Sequence, residues 1–286
     1  MSPSASAAAT PSGLGGECHA SSASPQDASL LSSGGLEVGG VVIDVPDVLY
    51  DATHWRRWLL QLVNRLGVGV GYAEFYRAWD AQLLDVHRGR REFAEVLQTF
   101  LVGFGLSWAQ VDEIEAASRI QRQNLEQNVR PLAGAIRALE GLTRLNLPMV
   151  AWADAPATSA RLAERLERLL PQTQFHAALT SFDLECTQPT ADCYLAAIDA
   201  LRLPPHQVVY IGHDTQHLAG AKSAGLWTVA VNHDCTARAD VCLTRLEDLV
   251  DLAATWRPIA RPSRIDNGRS VLSQRPTMAA AFGSQP

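Results

Sequence analysis

Val41-Val42-Ile43-Asp44-Val45-Pro46-Asp47-Val48-Leu49-Tyr50-Asp51 is the stretch on which the reading of the chain turns. Three β-branched apolar residues run straight into a carboxylate, and the chain then breaks at Pro46, the pattern of a buried strand that ends in a turn. In open α/β sheets ligands bind at the carboxyl ends of the strands, so position alone makes Asp44 a candidate for chemistry. Pro46, two residues on, can neither donate nor accept a proton.

Working outward, residues 1–40 are rich in Ser, Ala, Pro and Gly, with almost no large apolar side chain before Leu30, so they cannot offset the entropy of ordering. They also lack the basic start and continuous apolar run of a secretory signal. Beyond the opening strand, residues 55–128 show helical spacing and no convincing strand. Trp55, Trp58, Leu59, Leu62, Val63 and Leu66 recur at three- and four-residue steps and stop at Gly67. Phe75, Trp79, Leu83 and Val86 continue the pattern, as do Phe93, Val96, Leu97, Phe100 and Leu101. Aromatic residues at such spacing form a buried helix face, so this segment reads as an all-helical insert.

Strands and helices then alternate: a helix over 133–145 opened by Pro131, a strand over 147–153, a helix over 158–170, and a short strand over 177–181. A helix over 190–201, a strand over 208–211, a helix over 218–225, a strand over 227–231 and a helix over 246–256 complete the series. Such alternation specifies an α/β protein with a three-layer, Rossmann-like parallel sheet and helices on both faces. The expected division is a disordered segment (1–40), an α/β core (41–54 and 129–260), a helical cap (55–128) and a disordered tail (261–286).

The formal net charge of −6 over 286 residues argues against a nucleic-acid binder, which needs a positive surface. No apolar run reaches membrane-spanning length. Five cysteines without a CxxC pair suggest neither a disulfide framework nor a four-cysteine zinc site, and read most simply as buried thiols. These features together predict a cytoplasmic protein. Lys222 is the single lysine, so a mechanism that needs a lysine elsewhere is excluded.

A strand ending in Asp44, a helical insert directly after it, and Gly212-His213-Asp214 followed by Gly220-Ala221-Lys222-Ser223-Ala224-Gly225 resemble the haloacid dehalogenase-like hydrolases over about Val41 to Trp256. The segment after Gln188-Pro189 resembles the stretch that lies behind that family's third motif. The resemblance implies a nucleophilic aspartate that forms a covalent intermediate and, in phosphatases, a second aspartate two residues later as general acid and base. It further implies a Ser or Thr ending the second motif, a third-motif lysine that offsets negative charge, and fourth-motif acids that hold magnesium.

Asp44 keeps the nucleophile position, but Pro46 takes the second aspartate's place. Ala153 stands where the hydroxyl belongs, with Asp154 beside it as a ligand-binding position. Gln188 matches the lysine, and His213 replaces the first acid of the fourth motif. His217 falls where a second acidic residue is common. The family's carbon–halogen and phosphonate-cleaving branches also lack the second aspartate, yet retain a lysine and a hydroxyl. Coordinated loss implies a degenerate member, with phosphatase and dehalogenase activity lost or much weakened, that binds a small anionic ligand or a protein partner.

The alternative is an active, atypical magnesium-dependent hydrolase. There Asp44, the Pro46 carbonyl, Asp214 and, more weakly, His213 hold the metal, and Asp47 or His213 serves as acid or base. The simpler readings are a turn residue for Asp47 and a surface histidine for His213. A transition-metal site of His213, His217, Asp214 and His233 requires a helix that begins at His213. Arg56, Arg57, Arg88, Arg90 and Arg91 of the insert either face an anion above Asp44 or form a solvated helix face.

Overall fold

A computed structural model describes residues 35–233 and 237–259. Most of the two segments read as disordered from composition lies outside these residues. Ordered structure begins before residue 40, however, where Glu37–Val38 (β1) pairs in parallel with Arg257–Pro258 (β8) near the other end. Val38 is fully buried, which explains why a short apolar patch at the end of a polar segment orders.

The central strand, Gly40–Asp44 (β2), is buried along its whole length. Four helices come next: His54–Arg65 (α1), Tyr72–His87 (α2), Phe93–Gly103 (α3) and Trp108–Gln127 (α4). Their apolar faces make a cluster of their own around Phe75, Trp79, Leu97 and Leu101, bound by edge-on aromatic contacts such as Trp79–Phe100 at 5.0 Å. The last of them is a helix that hydrophobic spacing alone does not pick out, and it starts with a Ser107–Gln110 capping box.

Chain order continues with Ala135–Arg144 (α5), Met149–Ala153 (β3), Ser159–Leu169 (α6), Ala177–Thr180 (β4), Ser181–Leu184 (α7) and Ala191–Leu201 (α8). Val208–Gly212 (β5), Thr215–Ser223 (α9), Trp227–Val231 (β6), Val241–Leu243 (β7) and Leu249–Ala254 (α10) complete the unit. Pro131 does not open α5 as its sequence suggests. It bridges to Tyr50, and Gly134, at φ 82°, turns the chain into the helix. A Cβ at Gly134 would lie 2.9 Å from the Glu247 backbone nitrogen, so close approach as well as the left-handed turn selects glycine. The edge strand β7 is also absent from the sequence reading, since three residues are too short to show a pattern.

The six-stranded sheet has the order β4-β3-β2-β5-β6-β7, and every pairing is parallel. Val41 and Ile43 of β2 face one apolar cluster with α5, α6 and α10, and Val42 faces the other with α8 and α9. Burial on both faces is why these strands read as unbroken apolar runs. The chain leaves β2 towards β3 and β4, then returns to the other side of β2 with β5. The carboxyl ends of β2 and β5 therefore form the switch point of the sheet, with Asp44 on it. Among the described residues no helix is long and apolar enough to cross a membrane.

Candidate functional site

Asp44 ends β2 with its side chain almost fully buried. The Tyr210 hydroxyl donates to its Oδ2 at 3.2 Å, and His217 Nδ1 lies at the same distance from that oxygen. Tyr210 reaches it because the adjacent same-face residue on β5 is Gly212. A Cβ there would stand 2.6 Å from the Tyr210 ring, so this glycine clears a path for an aromatic side chain. Gln188 Nε2 donates to the Tyr210 oxygen at 2.9 Å, completing a buried chain from Gln188 through Tyr210 to Asp44.

His217 sits in the first turn of α9, where the helix dipole disfavours a cation. Burial acts in the same direction. The hydrogen bond and charge of Asp44, with Asp214 and Asp154, overcome both and raise the imidazole to about 9, so it is an imidazolium at neutral pH. Tyr194 fixes the turn by donating to the His217 carbonyl at 2.8 Å. That contact needs Gly220, since a Cβ there would lie 2.7 Å from the Tyr194 hydroxyl.

Asp154 is the second carboxylate of the site. Its Oδ2 accepts from the Gln188 backbone N–H at 3.1 Å and stands 4.0 Å from His217 Nε2. Burial pushes its carboxyl up to about 7, with Asp44 adding and His217 opposing. Ala153 is fully buried in β3 and presents no polar atom.

Asp47 occupies the turn after β2, at φ 59°, with its N–H donating to the Tyr50 carbonyl. Its Oδ1 accepts from the Ala52 N–H at 2.7 Å and its Oδ2 faces Arg56 Nη2 at 3.3 Å. Those contacts commit it to the turn. Pro46 forms a bridge with Tyr50 in the same turn. His213 lies between the two carboxylates, Nδ1 3.9 Å from Asp44 Oδ2 and Nε2 3.8 Å from Asp47 Oδ2, without a hydrogen bond to Nδ1. Asp214 does not join them. Its Oδ1 accepts the N–H groups of Gln216 and His217, and it serves as the N-cap of α9.

The insert closes over these groups. The guanidinium of Arg56 rests 4.3 Å from the Tyr76 ring centre, and Arg88 Nη2 donates to Thr187 Oγ1 at 2.8 Å. In both arginines Nε is buried without a partner. His87 is held neutral, at about 4, by burial and by the charges of Arg56 and His217. Arg57 and Arg91 instead pair with Asp51 and Glu95 at the surface, and Arg90 is exposed. The five arginines thus divide, with two facing the site.

Magnesium does not fit these donors. It requires a near-octahedral set of oxygens, whereas of the expected donors Asp44 Oδ2 is paired with an imidazolium, Asp214 Oδ1 is spent on a helix cap, and His213 offers nitrogen in place of oxygen. The transition-metal arrangement fails on geometry: α9 begins at Thr215, so His213 and His217 do not share its face. Among the described residues no group of three or more His, Cys, Asp or Glu side chains could hold a metal ion.

Sequence reasoning missed the role of His217 as a cation and missed Tyr210 altogether. Lysine counting excludes a cation beside Asp44 and overlooks a histidine whose charge three carboxylates enforce. Lys222 itself pairs with Asp240 at the surface. Tyr210 carried a usable signal, as the one polar-tipped side chain in the apolar run of β5, because a buried tyrosine hydroxyl needs a partner.

A family model for haloacid dehalogenase-like hydrolase matches residues 38–225. No curated protein matches the chain. Among solved structures, a 2-haloacid dehalogenase from Pseudomonas syringae pv. Tomato is 21% identical with a TM-score of 0.50, over 77% of this chain and 100% of that one. A putative β-phosphoglucomutase from Thermotoga maritima is 17% identical with a TM-score of 0.54, over 76% of this chain and 99% of that one. The L-2-haloacid dehalogenase from Xanthobacter autotrophicus, solved with chloropropionic acid covalently bound, is 18% identical with a TM-score of 0.52, over 76% and 98%. At these identities the likeness is one of fold.

Proposed function

The chain belongs to the haloacid dehalogenase-like hydrolases, and from that premise we propose that it is a degenerate member, which holds a small anionic ligand at the Asp44 site and has lost the family's turnover or much of it. The observation that carries this reading is the state of Asp44. Its Oδ2 is engaged by the Tyr210 hydroxyl and the His217 imidazolium, so this oxygen already has two partners within the protein. Pro46 offers no acid, Ala153 no hydroxyl, and the one other carboxylate in the adjoining turn is bound to Arg56. Loss of a single acid or electrostatic donor commonly costs two or more orders of magnitude in rate.

An anion suits what remains. Arg56 Nε, Arg88 Nε and His213 Nδ1 are buried nitrogens without hydrogen-bond partners, and Arg56 and His213 both stand beside Asp47. The magnesium-dependent phosphatase alternative has the donor set against it. The test is a panel of phosphomonoesters and 2-haloacids, with and without magnesium, run beside Asp44→Asn. The expected result is no turnover above that variant, together with a rise in the unfolding midpoint in inorganic phosphate. Turnover that vanishes in Asp44→Asn overturns the proposal.

A further inference from the structure

Cys186 and Cys193 are separated by six residues in sequence and have no metal-site spacing, yet the fold sets their sulfurs 3.0 Å apart. Cys186 lies in the loop after α7 and is partly open to solvent, while Cys193, in the first turn of α8, is completely buried. We propose that these two thiols are a modification site, at which a low-molecular-weight disulfide such as glutathione disulfide forms a reversible intramolecular Cys186–Cys193 bond.

Accessibility sets the order of events. The Cys193 S–H donates to the Cys186 sulfur, so Cys186 is both the exposed member and the acceptor, and it is the one that meets the oxidant. The Cys186 thiolate attacks glutathione disulfide, forms a mixed disulfide and expels one glutathione thiolate. Cys193, losing its proton to solvent, then attacks the Cys186 sulfur, forms the protein disulfide and expels the second glutathione. Two protein thiols are oxidised and one glutathione disulfide is reduced to two thiols, so electrons and atoms balance. Burial pushes both thiols up, which makes the reaction slow compared with that of a low-pKa redox cysteine. The third described free cysteine, Cys242, is exposed on β7 and lies outside this pair.

The ring that closes would contain Thr187 and Gln188. The first receives Arg88, and the second donates to Asp154 and to Tyr210. The modification would therefore tether the segment that joins the insert and the carboxylate cluster.

Trypsin releases both cysteines on one peptide, Leu169 to Arg202, which contains no internal arginine or lysine. Native full-length protein is incubated with glutathione disulfide, alkylated, digested and weighed. The expected result is that this peptide loses two hydrogens and takes no alkyl group, and that dithiothreitol restores two alkylatable thiols. In Cys193→Ser the reaction should halt at a glutathione adduct on Cys186, whereas in Cys186→Ser the buried Cys193 should stay unmodified. The proposal is overturned if both thiols remain alkylatable, if Cys186 keeps a stable glutathione adduct while Cys193 is present, or if Cys186 joins another cysteine. The unsubstituted protein decides the matter even where a variant fails to fold.

Discussion

Replacing His217 with Gln tests the central electrostatic claim, because the amide can still donate to Asp44 but cannot carry charge. In the folded protein the imidazole titrates at about 9 instead of 6.5. At about 1.4 kcal/mol for each pH unit, that difference corresponds to roughly 3 kcal/mol of folding stability. A group whose folded pKa is raised stabilises fully below its unfolded pKa and loses that contribution as pH rises through the folded value. The His217 contribution should thus be complete below about pH 6.5 and gone above about pH 9. Urea unfolding of both proteins across this range gives the stability difference at each pH, and subtraction removes the titration of distant groups. The wild-type advantage should shrink by roughly 3 kcal/mol between slightly acidic and strongly alkaline conditions. A difference that stays flat with pH refutes the imidazolium, and with it the internal charge pair at Asp44.

The surrounding contacts set further outcomes. Gly212→Ala places a methyl 2.6 Å from the Tyr210 ring and should cost about 1–3 kcal/mol in urea unfolding, since the ring has no free space to move into. Tyr210→Phe deletes a donor to Asp44 and leaves the Gln188 amide unpaired in a buried position, for a loss of about 1–3 kcal/mol by the same measurement. Magnesium chloride titrated into the protein should give no saturable heat, and a saturable heat that disappears in Asp44→Asn would refute the donor-set argument.

The sheet was legible because fully buried parallel strands show themselves as apolar runs, and β2, β3, β5 and β6 all do. The insert was legible for a similar reason, its aromatic residues falling on helix faces that form a separate cluster. What failed was local or remote in characteristic ways. Pro131 looked like a helix opener because proline suits a first turn, but an isolated bridge to Tyr50 takes it and the helix starts after Gly134. Asp214 reads from its motif as a metal ligand, and the motif does not show that its Oδ1 caps α9. The charge on His217 depends on Asp44, 173 residues away in sequence, on Asp154 from another loop, and on Asp214 at the N-cap of its own helix. A cation created by such convergence has no signature in residue type, so an inventory of lysines could not find it.

The same convergence gives Asp44 a structural part as acceptor, and it yields a test that separates architecture from chemistry. Residues held for catalysis are often poorly suited to stability, and replacing them tends to stabilise the protein at the expense of function. Asp44 is placed differently: the His217 imidazolium and the Tyr210 hydroxyl both depend on it as acceptor. Removing one partner of a buried pair leaves the other charge uncompensated, at a typical cost of about 3–5 kcal/mol. Asp44→Ala should therefore lower stability by about that amount near neutral pH, and by less in alkaline solution, where His217 is neutral in either case. Far-ultraviolet circular dichroism followed through a urea titration measures both values. An Asp44→Ala protein as stable as the wild type, or more so, would mean that the carboxylate is kept for reaction and that the degenerate reading of the site is wrong.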